Sequence, residues 1–189
     1  ALPISTYAPD WDHSTRLELV IWGAPLLIII ALGAITWIST HKLDPFRPLD
    51  RISEDKPLVA GVKPLEVYAV SMDWKWLFIY PEQGIAVVNQ MAIPSGRPVS
   101  LRITSDTVMN SFYVPALAGQ IYAMAGMQTR LQMLADQPGR FVGRNTQYSG
   151  GGFSDQHFEV LAMNQADFDG WIARARQATA RLDAPTYTR

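Results

Sequence analysis

The sequence predicts a membrane-anchored all-β protein: one transmembrane helix, then a β-sandwich or barrel, then a short amphipathic helix. Three observations carry that expectation. The 20 residues from Leu19 to Ile38, LVIWGAPLLIIIALGAITWI, hold no charge, and as a helix they span roughly 30 Å, the thickness of a hydrocarbon core. After residue 64, short runs with strand character alternate with turn signals over about a hundred residues, the spacing of a sandwich. Near the C-terminus, Phe168, Trp171, Ile172 and Ala175 recur at helical spacing with arginines elsewhere, the pattern of an amphipathic helix over 166–181.

The apolar run places the transmembrane helix at 17–40, preceded by a pre-membrane segment, 1–16. Trp22 and Trp37 fall toward opposite ends, where amphipathic rings favour the two interfaces, and His41 and Lys42 mark the exit. Pro25 removes a backbone donor early in the helix and predicts a local kink. Arg16 alone precedes the span while Lys42, Arg47 and Arg51 follow it, so the charge rule by itself puts the C-terminal domain in the cytoplasm. The stretch 41–64, HKLDPFRPLDRISEDKPLVAGVKP, is rich in proline and charge and reads as a linker.

Seven runs read as strands: 65–70, 74–80, 85–93, 99–104, 111–114, 128–135 and 157–163. Pro81 to Gly84, Pro94-Ser95-Gly96 and Pro138-Gly139 supply turns between them. The β domain therefore covers 65–165, and 166–189 forms the C-terminal helix and tail.

Composition removes several function classes. With 16 Lys+Arg against 17 Asp+Glu, the net charge is -1, and no basic stripe is present to neutralise a nucleic-acid backbone. There is no cysteine, which excludes disulfides, thiol catalysis, iron–sulfur clusters and thiolate copper sites. The three histidines, His13, His41 and His157, show no H-x-x-x-H spacing. Asp155 and His157 share a strand face without a third ligand, so His157 reads as a surface or hydrogen-bonded histidine. No G-x-S-x-G elbow suggests a hydrolase. The run Ser149-Gly150-Gly151-Gly152 lacks the Lys-Ser/Thr of a P-loop and reads as a loop using positive φ or close backbone approach. Glu18 stands apart, because an ionisable group at the start of an apolar helix is a functional-site candidate. Its plainer reading is an interfacial carboxylate favoured by the helix dipole.

A resemblance sharpens this picture. The run from Ser71 to Gly84, SMDWKWLFIYPEQG, strongly resembles subunit II of haem–copper terminal oxidases, specifically ubiquinol oxidases of cytochrome bo type. The likeness continues through 108–112, 120–131, 148–150 and 152–154 and covers nearly the whole chain. It implies two N-terminal transmembrane helices followed by a periplasmic cupredoxin domain, this chain corresponding to the second helix onward with the first absent. The span then runs from cytoplasm to periplasm in a bacterial inner membrane, which reverses the orientation from the charge count.

In cytochrome c oxidases, the same domain holds a two-copper centre on one histidine and a Cys-x3-Cys-x3-His-x2-Met loop. Placed on that pattern, the histidine position resembles Asn110, and the loop positions resemble Ser149, Phe153, His157 and Val160, with Gly151 where a backbone carbonyl ligand is drawn. Only His157 keeps a ligand type. The resemblance accordingly implies no redox cofactor and no metal in this chain, and no docking of cytochrome c. Haems and copper are expected in subunit I, with ubiquinol as the complex's substrate. The expected partners are subunit I, the other small membrane subunits and the lipid bilayer. Trp74 resembles the tryptophan where cytochrome c would dock, and without copper behind it Trp74 and Trp76 read as packing. Glu18 resembles a carboxylate near the cytoplasmic mouth of a proton pathway in subunit I, which makes it the proton-uptake candidate. The function implied is a non-catalytic subunit II of a proton-translocating ubiquinol oxidase. The alternative is a free-standing membrane-anchored cupredoxin-like module, such as a copper chaperone. Its methionines at 72, 91, 109, 124, 127, 133 and 163 are scattered singly, more like core fillers than a ligand cluster.

Overall fold

A computed structural model describes residues 12–53, 56–58 and 61–187. Residues 1–11 of the expected pre-membrane segment, four residues of the linker (54, 55, 59 and 60) and the last two of the tail (188 and 189) lie outside the described residues. The chain divides into two compact units, meeting between Asp44 and Pro45.

The first unit is one helix, α1, Thr15–Lys42. It contains Pro25 within an unbroken helical stretch. Its apolar side chains are exposed all round, as a helix surrounded by hydrocarbon requires. By length and composition it is able to cross a membrane. At its end, Thr40 Oγ1 donates to the Thr36 carbonyl at 2.8 Å and the His41 ring to the Trp37 carbonyl at 2.9 Å. These bonds engage carbonyls near the terminus, where the last turn leaves acceptors without intrahelical partners.

The second unit carries the sandwich. A two-stranded pair, β1 (Arg51–Ser53) and β2 (Lys56–Pro57), precedes it. Ten strands follow: β3 (Leu65–Met72), β4 (Lys75–Tyr80), β5 (Ile85–Val88), β6 (Gln90–Pro94), β7 (Val99–Ser105), β8 (Asn110–Val114), β9 (Ala118–Ala123), β10 (Thr129–Met133), β11 (Gly139–Arg144) and β12 (His157–Met163). One sheet runs β10-β7-β3-β4-β5 and the other β6-β12-β11-β8-β9. Two pairings, β3 with β7 and β12 with β6, are parallel, and the rest are antiparallel.

Alternation explains the core. Along β3, Leu65, Val67 and Ala69 point inward, and along β7, Val99, Leu101 and Ile103 do the same. Aromatic rings fill the space between the sheets: Phe158 lies 5.0 Å from Phe112, 5.1 Å from Phe78 and 5.6 Å from Trp76. Each fully buried ring of this kind stabilises the fold by about 2 to 3 kcal/mol.

The expected single strand 85–93 is two strands in two sheets. Asn89 interrupts it with φ +56. The Asn89 N–H donates to the Trp76 carbonyl, and its side-chain oxygen accepts from the Trp76 N–H, both at 2.8 Å. The chain thereby leaves the edge of the first sheet and joins the second. Strands β9 and β11 carry no run in the sequence reading, because Gly119, Gly139 and Gly143 and exposed arginines dilute their apolar alternation.

The C-terminal helix, α2, is shorter than the expected 166–181 and runs Gln165–Arg176. Asn164 caps it, accepting from the Asp167 N–H at 2.8 Å. Phe168, Trp171 and Ile172 are its buried residues, and it packs on β5 and β6. Past its end the side-chain pattern is Ala178, Ala180, Arg181, too small to hold a further turn by burial. A last turn, α3 (Ala184–Tyr187), is tied back by the Tyr187 hydroxyl, which donates to Asp106 at 3.0 Å.

Candidate functional site

Loops between β3 and β4, β7 and β8, and β11 and β12 are linked through side chains around the Asn110 position. Asn110, Asn145 and Gln156 are 3%, 6% and 2% exposed, and polar groups so placed must find partners. The Asn145 amide group donates to Asn110 Oδ1 at 2.6 Å and to Gln156 Oε1 at 2.8 Å. Those two bonds use both of its hydrogens, so Ser149 Oγ at 3.2 Å is only a marginal partner. Asn145 Oδ1 accepts from the backbone N–H of Ser111 at 2.9 Å and of Gln147 at 3.0 Å. Gln156 Nε2 reaches into the neighbouring turn, donating to Ser71 Oγ at 2.9 Å and the Met72 carbonyl at 3.2 Å.

Asn145 and Gln156 are absent from the sequence reading, yet they organise this end of the domain. One signal for Asn145 was available. Extending the alternation of β11 by one residue past the exposed Arg144 places a polar amide on the inward side.

The six positions aligned with copper ligands hold no set of donor atoms. Asn110 and Ser149 both lie near the Asn145 amide nitrogen, at 2.6 Å and 3.2 Å. Gly151 lies in the loop, and Phe153 sits in a short 3₁₀ turn, its ring 5.6 Å from that of Tyr148. His157 is exposed at the start of β12, directly opposite Arg144. Val160 is fully buried in the core. The donor set does not fit a two-copper thiolate centre: phenylalanine and valine offer no ligand atom, serine is not ionised, and the Asn110 carbonyl oxygen is already engaged. Among the described residues, no group of three or more His, Asp or Glu side chains is assembled that could hold a metal ion.

The two tryptophans differ. Trp76 is fully buried among Phe112 and Phe158, as the packing reading expects. Trp74 is 41% exposed and adopts φ +58, a conformation rare for a bulky residue. Its ring lies against the glycine run. A Cβ on Gly152 would sit 2.3 Å from the indole and one on Gly150 2.8 Å, so only glycine permits the approach. Trp74 thus packs on the glycine loop and is not one of the buried core residues.

Glu18 stands in the first turn of α1 and is exposed. Its carboxylate is 2.8 Å from Nδ1 of His13, whose Nε2 is 3.1 Å from Thr15 Oγ1. A neutral imidazole satisfies both, donating from Nδ1 and accepting at Nε2.

Comparison with known proteins identifies the architecture. A family model described as cytochrome c oxidase subunit II, periplasmic domain, matches residues 81–161. The chain is 52% identical over 183 residues to a cytochrome bo(3) ubiquinol oxidase subunit 2 of Pseudomonas putida, an alignment covering 97% of this chain and 55% of that protein. Over nearly its whole length the chain is similar to subunit II proteins of ubiquinol oxidases, and its β domain matches the subunit II periplasmic domain. A ubiquinol oxidase subunit 2 of Acetobacter aceti is 50% identical over 96% of this chain and 57% of its own length. The chain therefore spans a little over half the length of these relatives. The periplasmic domain of a cytochrome oxidase subunit II from Bradyrhizobium japonicum superposes with a TM-score of 0.59 at 20% identity, covering 61% of this chain and 96% of that one. A haem–copper terminal oxidase dimer gives 0.58 at 16% identity, over 78% of this chain and all of the matched one. These structures share the cupredoxin-like fold with the present β domain, preceded here by an apolar helix.

Proposed function

We propose that the chain is the non-catalytic subunit II of a proton-translocating ubiquinol oxidase, which oxidises ubiquinol and reduces oxygen to water in an aerobic respiratory chain. The observation that carries this reading is the amide network of Asn110, Asn145 and Gln156. Where an oxidase fed by cytochrome c needs a copper ligand, this chain has Asn110, whose side-chain oxygen accepts from Asn145. Electrons then bypass the domain. Haems and copper reside in subunit I, which takes electrons from the membrane quinol, and subunit II contributes assembly and support. The names of the relatives from Pseudomonas putida and Acetobacter aceti support the same substrate.

In this reading the chain sits in the bacterial inner membrane with its β domain in the periplasm. Its partners are the haem-bearing subunit I, the other small membrane subunits and the surrounding lipid. Glu18, on the cytoplasmic side, accepts protons from water and passes them toward subunit I, and His13 is placed to hold its carboxylate. Copurification tests the assignment. The tagged chain, extracted from membranes in mild detergent, is expected to bring down a haem-bearing large subunit with quinol-dependent oxygen consumption. Recovery of the chain alone, from membranes in which that large subunit is present, would overturn it.

A further inference from the structure

Beside the amide network, whose Asn145 and Gln156 form part of its wall, a concavity of about 630 Å³ opens at the β11–β12 loop. Its walls include Val142, Arg144, Thr146, Phe153, Ser154 and His157, and no acidic side chain lines it. Arg144 and His157 are cross-strand partners in the antiparallel register, so both side chains leave the same face of the sheet. Among the described residues neither side chain has a hydrogen-bond or ion-pair partner. Of the two carboxylates nearest His157 in sequence, Glu159 lies two residues along β12 and is occupied by Gln90 Nε2 at 3.3 Å and Arg140 at 4.0 Å. The other, Asp155, expected on the strand face of His157, lies in the 3₁₀ turn before the strand and is not among the residues lining the concavity.

Two cationic-type groups side by side without a counter-charge repel each other when the imidazole is protonated, and an anion between them removes that cost. We propose that this concavity binds an oxyanion of the phosphate class, gripped by the Arg144 guanidinium and the His157 imidazole, with the Ser154 hydroxyl as a further donor. A planar carboxylate is saturated by one guanidinium fork. Donors arriving from two strands and a 3₁₀ turn instead suit a tetrahedral group with several oxygens. Val142 and Phe153 offer an apolar wall to whatever carbon the phosphate carries. Free inorganic phosphate and the headgroup of an anionic phospholipid share this chemistry. The proposal rests on no part of the oxidase assignment.

The test follows the histidine ring protons by NMR in the full chain, solubilised in uncharged detergent at constant ionic strength. His13 and His41 serve as internal controls, and His157→Asn assigns the third signal. One arm titrates inorganic phosphate and the other a short-chain phosphatidylglycerol. Saturable movement of the His157 signals is expected in at least one arm, and the arm that saturates identifies the source. Arg144→Gln, at an exposed position that leaves the fold intact, is expected to weaken binding by about tenfold or more, the loss of one charge-assisted contact. Ser154→Ala should weaken it a few-fold. Shifts that stay linear in both arms, that chloride reproduces, or that persist unchanged in Arg144→Gln would overturn the site.

Discussion

The Tyr80 hydroxyl forms two hydrogen bonds with the backbone of Ala92, donating to its carbonyl and accepting from its N–H, both at 2.9 Å. Tyr80 belongs to β4 in one sheet and Ala92 to β6 in the other, so a single side chain supplies the ladder that β6 lacks on its free edge. Tyr80→Phe leaves a buried donor and a buried acceptor without partners, each worth about 1 to 3 kcal/mol. The variant should lose about 2 to 4 kcal/mol in urea unfolding with an unchanged slope. Burial also raises the Tyr80 hydroxyl pKa, opposed by its bond to Ala92. Its contribution is complete below the ordinary tyrosine pKa of about 10 and is lost as the pH rises above it. Ultraviolet titration should show one tyrosine failing to ionise until the domain unfolds.

Gln156→Glu probes the amide network through pH. Ionised glutamate still accepts from Asn145, but it has no hydrogen for Ser71 Oγ or the Met72 carbonyl. At neutral pH the variant should be less stable by about 2 to 4 kcal/mol. Protonation restores a donor, so the folded state holds this carboxyl above its unfolded pKa of about 4.3. Stability should therefore recover below that value and fall as the pH rises through and beyond it. Gln156→Met, which cannot titrate, should show a loss independent of pH across the same range. Parallel behaviour of the two variants would mean that Gln156 is not engaged as described.

Gly152→Ala tests the seat of Trp74. The added methyl meets the indole, and relief requires either loop or ring to move, at a cost of about 1 to 3 kcal/mol. Combining it with Trp74→Ala removes the obstruction, so the double variant should lose less than the sum of the singles. Additive losses would show that the ring is not held against the loop.

Glu18→Ala in the assembled oxidase is expected to leave subunit association intact while lowering oxygen-reduction rate and proton uptake. A carboxylate serving only the helix dipole stabilises by about 0.3 to 1 kcal/mol, and its loss would leave turnover at the wild-type level. His13→Asn, which removes the ring beside Glu18, should give a smaller decrease in the same assay.

Much of the fold is legible in the sequence because its strongest signals are local. The uncharged run that becomes α1, the alternation along β3 and β7, and the apolar stripe of α2 each announce their element within a window of about a dozen residues. The strand 85–93 shows where such reading stops. Asparagine tolerates positive φ and is uncommon in strands, a faint local signal, but the bonds of Asn89 to Trp76, 13 positions away, are what reveal the change of sheet. The site behaves likewise. The residues aligned with a copper loop were found by resemblance, but Asn145 and Gln156, separated from Ser71 by 74 and 85 positions, owe their roles to contacts that exist only after folding. Trp74 was read as packing from its side chain. Its positive φ and the glycines beneath it are backbone properties that the residue name does not encode.

A cluster of amides differs from a metal centre in where its parts come from. Every donor and acceptor joining Asn110, Asn145, Gln156 and Ser71 is delivered by the polypeptide itself. This end of the domain is complete once the backbone closes, with no step that waits on an outside supply. Maturation of the domain should therefore proceed at the same pace in copper-starved and copper-replete cells.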